Sequence, residues 1–250
     1  MLLIAGPCSL ESKEICLKVG EGIRSSLPIG IEYYFKTSFS KGNRTSINSF
    51  VTNGIEYAKD TFTALRQEGF QILTDVHETW QIEEFQSYVD AFQIPAFLCR
   101  QTDLLKTAAL TGKMINIKKG QFLAPSDTKN IAEKMRAWGN ENFYICERGT
   151  SFGYNNLVVD FRSIAIMKQY GKVCFDATHS VQLPGGFGPT TGGERQYVEP
   201  LAKTALLWGA DALFMEVHPD PSNALSDKEC QIPLADFADM FSRVMEFSNL

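Results

Sequence analysis

The sequence predicts an α/β protein, a single-domain (β/α)8 TIM barrel over residues 1–250, on three observations. Short apolar runs alternate with longer stretches of helical period, which is the pattern of repeated βα units. The runs number eight, enough to close a barrel. No G-x-G-x-x-G or P-loop follows any of them, which disfavours an open doubly wound sheet.

In chain order the predicted strands are 2–7, 32–36, 71–75, 91–93, 114–118, 143–147, 173–176 and 213–216. Several are continuously apolar, as in Leu2-Leu3-Ile4-Ala5 and Leu213-Phe214-Met215. That composition suits a parallel sheet covered on both faces. Amphipathic segments lie between the strands. Ile55, Ala58, Phe62 and Leu65 form one helix face, and Leu234, Phe237, Phe241 and Val244 form another, each spaced i, i+3, i+7, i+10. Stretch 183–193, after the seventh strand, is too rich in Gly, Pro and Thr for either element and is expected to be a mobile active-site loop. No linker, repeat or low-complexity tract marks a second domain.

Composition narrows the function classes. With 44% hydrophobic and 21% charged residues the chain can bury a sizeable core, and its formal charge of −5 argues against a general nucleic-acid binder. Charged residues interrupt every apolar run before the roughly 18 residues of a membrane helix, so no membrane partner is expected. The start Met1 to Cys8 superficially resembles a lipoprotein signal but lacks basic residues and is too short, and it reads as a strand. Six cysteines, at 8, 16, 99, 146, 174 and 230, are scattered without C-x-x-C pairs, which points to reduced thiols and a cytoplasmic protein.

In a barrel the chemistry gathers at the C-terminal ends of the strands. In order these ends offer Cys8, Lys36, Asp75, Gln93, Lys118, Arg148, His179 and Glu216. Cys8, His179 and Glu216, joined by Asp227 from the loop after the eighth strand, suit a divalent metal, and the S/N/O mixture fits Zn2+ or Fe2+ better than Mg2+. Taken singly, a strand-end cysteine is more often a small buried hydrophobe and a lone histidine merely hydrogen-bonded. Convergence on one rim brings the metal reading level with the bland one. His77 and His218 are read as structural or supporting. A second constellation is basic: Lys36, Lys41, Arg44, Lys118 and Arg148 stand at or just beyond strand ends in an acidic chain, implying more than one anionic group in the site. Lys119 and Lys129 read instead as solvated surface charge.

Six segments now carry a resemblance. They are Ala5-Gly6-Pro7-Cys8-Ser9-Leu10-Glu11-Ser12, Phe35-Lys36-Thr37-Ser38-Phe39-Ser40-Lys41-Gly42-Asn43-Arg44-Thr45-Ser46, Gln93-Ile94-Pro95-Ala96-Phe97-Leu98-Cys99-Arg100-Gln101-Thr102-Asp103, Glu147-Arg148-Gly149-Thr150-Ser151-Phe152-Gly153-Tyr154, Phe175-Asp176-Ala177-Thr178-His179-Ser180-Val181-Gln182-Leu183-Pro184-Gly185-Gly186 and Glu216-Val217-His218-Pro219. Together they closely resemble the 3-deoxy-D-manno-octulosonate 8-phosphate synthases (2-dehydro-3-deoxyphosphooctonate aldolases), in their metal-dependent class. The resemblance runs nearly end to end.

It implies condensation of phosphoenolpyruvate with D-arabinose 5-phosphate and water, releasing phosphate, for lipopolysaccharide synthesis in Gram-negative bacteria. By the resemblance, Lys118 and Arg148 hold the phosphoenolpyruvate phosphate, Lys36 and Lys41 its carboxylate, and Gln93 and Ala96 line its pocket. Asn43, Arg44 and Thr45 hold the sugar phosphate, with Arg100 reaching in from a neighbouring subunit of a homotetramer. Gln182 is a further substrate-binding candidate, and Lys41, Asp75 and His179 are the catalytic candidates. One divalent metal per subunit is expected, Zn2+ or Fe2+ first, with Mn2+ or Co2+ as substitutes. Metal-free members of the family carry asparagine where Cys8 stands. Longer relatives also have a segment capping the barrel bottom, so here that seal is expected from elsewhere or from another subunit. The sister enzyme, which uses erythrose 4-phosphate to make 3-deoxy-D-arabino-heptulosonate 7-phosphate, is the alternative. Its sugar loop reads Lys-Pro-Arg-Thr against Lys41-Gly42-Asn43-Arg44-Thr45 here. A barrel that only binds a sugar phosphate is a second, non-enzymatic alternative, and it would not need converging metal ligands.

Overall fold

The computed structural model describes residues 1–44, 46–185 and 192–248. Eight parallel strands form the barrel: β1 (Leu2–Gly6), β2 (Glu32–Lys36), β3 (Gln71–Asp75), β4 (Ala91–Ile94), β5 (Met114–Lys118), β6 (Phe143–Glu147), β7 (Lys172–Asp176) and β8 (Ala212–His218). Each pairs with the next, and β8 pairs back onto β1, Leu2 opposite Ala212 through Gly6 opposite Glu216. The sheet is therefore closed and has no free edge.

Helices α1 (Lys13–Ser25), α2 (Ile55–Gln67), α3 (Thr79–Phe85), α4 (Thr102–Leu110), α5 (Thr128–Ala137), α6 (Arg162–Met167), α7 (Val198–Leu207) and α8 (Leu234–Met245) follow the strands in turn. The helix stripes read from the sequence are the buried ones: Ala58, Phe62 and Leu65 on α2, Phe237, Phe241 and Val244 on α8. The start of α1 is fixed by Ser12, whose side chain accepts the Ile15 N–H at 3.2 Å and so satisfies one otherwise orphaned donor.

Because side chains alternate across a strand, two apolar populations coexist. Leu3, Ala5, Phe35, Ile72, Phe92, Ile115, Ile145 and Phe175 face the helices, whereas Leu2, Ile4, Tyr34, Leu73, Ala91, Met114, Tyr144, Cys174 and Phe214 fill the barrel. The lower end of the barrel is filled by Leu2, Tyr34, Met114 and Tyr144, all buried.

Five of the inward series end, within their strands, on a polar residue. Tyr34 leads to Lys36, Leu73 to Asp75, Ala91 to Gln93, Cys174 to Asp176 and Phe214 to Glu216, each two residues on. The same parity that packs the core thus aims these groups into the mouth. Gly6, at the top of β1, allows the closest approach: a Cβ there would lie 2.2 Å from the Lys36 carbonyl oxygen.

Strand bounds differ from the sequence reading by at most two residues. Pro7 lies beyond β1, β4 extends to Ile94, β7 begins at Lys172, and β8 runs from Ala212 to His218. The β8 extension is anchored by Ile232 and Pro233, which pair with Val217 and His218. Stretch 183–193 is not wholly irregular: Gln182–Leu183 pairs antiparallel with Gly192–Gly193. The remainder of that predicted loop, 186–191, lies outside the described residues, as does Thr45.

Candidate active site

A cavity of about 760 Å3 opens at the C-terminal end of the barrel. Of the predicted site residues, Lys36, Lys41, Asn43, Arg44, Asp75, Gln93, Ala96, Lys118, Arg148, His179, Gln182 and Asp227 line it. Cys8 and Glu216 lie beneath its wall, both fully buried. Arg100 is exposed and does not line it.

At one end the predicted metal ligands converge. Cys8, Glu216 and Asp227 offer ligand atoms all within 4.8 Å of one another. His179 points Nε2 at the same group, 3.7 Å from Glu216 Oε2 and 3.9 Å from Asp227 Oδ2, while its Nδ1 lies 2.8 Å from Asp176 Oδ2. A carboxylate behind an imidazole fixes the orientation and tautomer that a metal-ligating histidine needs. Burial, reinforced by the Glu216 carboxylate, pushes the Cys8 thiol far above its ordinary pKa, and Cys8 Sγ donates to Asp227 Oδ2 at 3.1 Å. Burial also works against ionising Asp227, yet His179 and Lys41 hold its carboxyl well below the usual range. Burial likewise opposes Glu216, which Lys36 and His179 keep low. Glu216 Oε1 accepts Lys36 Nζ at 2.9 Å, and its buried Oε2 has no hydrogen-bond partner among the described residues. A protonated thiol between two carboxylates, one oxygen unused, is a donor set that fits a divalent cation, which would take the thiol proton's place and give the orphaned oxygen a partner.

The rest of the cavity is cationic, and its charges are unequally balanced. Lys36 is neutralised by Glu216, and the Lys118 amine pairs with the Asp176 carboxylate while sitting 3.2 Å from the centroid of the Phe214 ring. Burial disfavours the charged form of Lys118, but Asp176 raises its pKa and keeps it an ammonium. Among the described residues, Lys41, Arg44 and Arg148 have no carboxylate partner. Arg44 donates through Nη1 to Ser226 Oγ at 2.9 Å. Arg148 donates through Nη2 to Gln182 Oε1 at 2.6 Å, Gln182 in turn donates to Asp227 Oδ1 at 2.7 Å, and the buried Arg148 Nη1 has no partner among the described residues.

Asp75 completes the floor. Its Oδ2 accepts from Ser38 at 2.7 Å and its Oδ1 from Gln93 Nε2 at 2.6 Å, and Asn116 Nδ2 donates to Gln93 Oε1 at 2.8 Å, which sets the Gln93 amide orientation. Burial opposes its charge, but Lys36 and Lys41 hold the carboxyl well below its ordinary range. The two other histidines act as supports. His77 Nε2 accepts the Gly42 N–H at 3.2 Å; His218 Nδ1 accepts the Asp220 N–H at 3.0 Å, and its Nε2 lies 3.5 Å from Glu11.

The structure corrects one reading and adds residues the sequence did not single out. Lys119 is not solvated surface charge: its exposure is 0%, and its amine lies 3.4 Å from the Glu147 carboxylate. Asp176, Asn116 and Phe214 were missed as site components. Asn116 and Phe214 lie two residues before Lys118 and Glu216, so two-residue parity counted back from the strand ends was the signal for them, while Asp176 itself ends β7, three residues before His179.

Comparison with known proteins agrees with this geometry. The model of the DAHP synthetase I family matches residues 1–249. A 2-dehydro-3-deoxyphosphooctonate aldolase of Fusobacterium nucleatum is 49% identical over 100% of this chain and 91% of its own length. One from Rickettsia canadensis is 49% identical over 100% and 92%, and one from a Cyanothece species is 52% identical over 90% and 84%. With a closed barrel, a convergent site and agreement of this extent, the chain belongs to the DAHP synthetase I family and, within it, to the 2-dehydro-3-deoxyphosphooctonate aldolases.

Proposed function

We propose that the chain condenses phosphoenolpyruvate with D-arabinose 5-phosphate and water to give 3-deoxy-D-manno-octulosonate 8-phosphate and inorganic phosphate, a step of lipopolysaccharide synthesis. The observation that carries this reading is the charge balance of the cavity: three cations, Lys41, Arg44 and Arg148, face it without a carboxylate partner among the described residues. Unpaired cations in a partly desolvated site are costly unless an anion joins them, and two phosphates and a carboxylate supply the charge.

In this arrangement Arg148 and Lys118 take the phosphoenolpyruvate phosphate, with Gln182 holding the Arg148 fork. Lys36 and Lys41 take the carboxylate over the Gln93 and Ala96 wall. Asn43, Arg44 and Thr45 take the sugar phosphate, assisted by Arg100 of a neighbouring copy in a homotetramer. C3 of phosphoenolpyruvate attacks the aldehyde carbon, C2 accepts water, and phosphate leaves by C–O cleavage. Lys41, which has no carboxylate partner among the described residues, donates to the aldehyde oxygen as the new bond forms. Asp75, kept ionised and fixed by two hydrogen bonds, orients Lys41 and the polar groups around it. Holding two anionic substrates face to face supplies several kcal/mol of barrier reduction, up to roughly 7 to 11 for ideal alignment. Cys8, His179, Glu216 and Asp227 are the residues that would hold a divalent metal, Zn2+ or Fe2+ first and Mn2+ or Co2+ as substitutes. When bound, the metal supplies Lewis acidity at that end of the cavity. A reduced, cytoplasmic setting suits the free thiols, and no helix of the described residues is long and apolar enough to cross a membrane.

The test is phosphate release from phosphoenolpyruvate with each aldose phosphate in turn. Release with arabinose 5-phosphate and little with erythrose 4-phosphate is expected. Comparable turnover with both overturns the substrate assignment, and release with neither overturns the activity.

A further inference from the structure

The chain places a buried ion pair immediately behind the cavity, on the outward side of the same two strands that present Lys118 and Arg148. Lys119 follows β5 and Glu147 ends β6; both are buried, and both point away from the cavity that their neighbours face. Glu147 does not spend its charge on Lys119 alone. Its Oε1 accepts the Arg148 N–H at 3.0 Å and the Gly149 N–H at 2.8 Å, with Lys119 Nζ at 3.4 Å. Gly149 has φ +89°, a left-handed conformation that turns two successive N–H groups onto one oxygen. Lys119 Nζ in turn reaches the carbonyls of Gly120 and Leu123 at 3.4 Å each and Thr150 Oγ1 at 3.3 Å, so it touches the loops after both strands. An outward-facing carboxylate and ammonium with almost no exposure carry a desolvation cost that apolar residues at these positions would avoid. A pair that stabilises no more than its burial costs, yet fixes the backbone of an anion-binding arginine, has its effect in positioning.

We propose that Glu147, neutralised by Lys119, is a positioning residue for phosphate binding: it locks the main chain at Arg148 and Gly149 so that the Arg148 guanidinium enters the cavity in one orientation. The inference rests on the phosphoenolpyruvate reading of the site. Gln182 holds the guanidinium from the cavity side and Glu147 holds the backbone from the other, so the fork is fixed at both ends. Glu147 itself does not line the cavity, and its effect passes through Arg148.

Steady-state kinetics on Glu147→Asp, Lys119→Met and the double variant Lys119→Met/Glu147→Gln test this. Glu147→Asp keeps the charge but draws the oxygen away from both amides. Lys119→Met leaves the carboxylate buried without its counter-charge. Each is expected to raise KM for phosphoenolpyruvate about tenfold or more and to leave KM for the aldose phosphate within about twofold, as for a displaced binding group. The double variant removes both charges but keeps an acceptor oxygen for the two amides, and is expected to hold KM for phosphoenolpyruvate within about threefold of the starting protein. Calorimetric titration with inorganic phosphate reads the same order of affinities without turnover. A phosphoenolpyruvate KM unchanged in the single variants, both KM values raised alike, or a lowered melting temperature as the only effect overturns the proposal. Should Glu147→Asp not fold, Lys119→Met decides alone by the same readings. A starting protein that releases no phosphate with any aldose phosphate overturns the functional reading instead, and the phosphate titration still separates the two.

Discussion

At Cys8 a thiol that burial and two carboxylates keep protonated shares a cluster with His179 Nε2, and the competition between proton and metal sets what substitution does there. Thiolate is a strong ligand for Zn2+, Fe2+ and Co2+, whereas a neutral amide is a poor one that still hydrogen-bonds. Cys8→Ala is expected to abolish the sulfur-to-metal charge-transfer absorption of the Co2+-loaded protein and most of its turnover. Cys8→Asn is expected to leave weak activity that survives exhaustive chelation, while the unsubstituted protein loses activity to the chelator. Full activity after chelation refutes the metal site. Arg148→Ala removes a guanidinium whose Nη1 has no other use among the described residues. It is expected to weaken phosphoenolpyruvate binding by about 2 to 5 kcal/mol, read as a rise in its apparent dissociation constant.

Strands and helices were legible wherever side-chain periodicity met continuous burial, which is why apolar runs located all eight barrel strands to within two residues. What periodicity does not carry is a pairing of two or three residues set by a distant loop. The bridge of Ile232 and Pro233 onto β8 and the ladder between Gln182–Leu183 and Gly192–Gly193 are of that kind. Close approach of backbones is also invisible in composition, and Gly6 is the instance with the most effect. A Cβ there meets a carbonyl oxygen at 2.2 Å, an atom that cannot swing aside, so β1 and β2 must separate just below Cys8 and Lys36. Gly6→Ala is expected to cost about 1 to 3 kcal/mol by overpacking, measured as a lower urea midpoint with an unchanged slope, and to weaken Co2+ binding. An unchanged midpoint and affinity show that the strands accommodate the methyl.

For the whole molecule, the carboxylates at the barrel mouth tie stability to pH. Burial opposes the charges of Asp75 and Asp176, but cationic neighbours, Lys36 and Lys41 for the first and His179 and Lys118 for the second, hold both folded-state pKa values below the ordinary one. The unfolded chain therefore takes up these protons first. The stabilisation is complete above the unfolded pKa of about 3.9 and is lost as pH falls from there towards the folded values. Urea midpoints are expected to be flat near neutrality and to fall steeply below about pH 4, and Asp75→Asn is expected to flatten that fall. A wild-type midpoint constant down to pH 3 contradicts this linkage. Of the candidate site, Lys36 and Lys118 were legible because each ends a strand's apolar run, Cys8, Arg148 and His179 because they lie just beyond one, whereas Lys41, Arg44 and Asp227 reach the cavity from loops. The Lys119 and Glu147 pair was not, since a charged residue facing the helix layer has the same appearance in sequence as one facing water. The strict alternation of inward and outward positions has a further consequence for how this chain can change length. Glu147 and Arg148 are adjacent and face opposite ways, so deleting one residue within β6 would bring the carboxylate into the cavity in place of the guanidinium and reverse the sign of the charge offered to an anionic substrate. Deleting or inserting two residues restores the parity. Drift in length is thus confined to the loops or comes to the strands in even steps, and the spacing between barrel-filling residue and strand end is as much a part of the binding chemistry as the residues themselves.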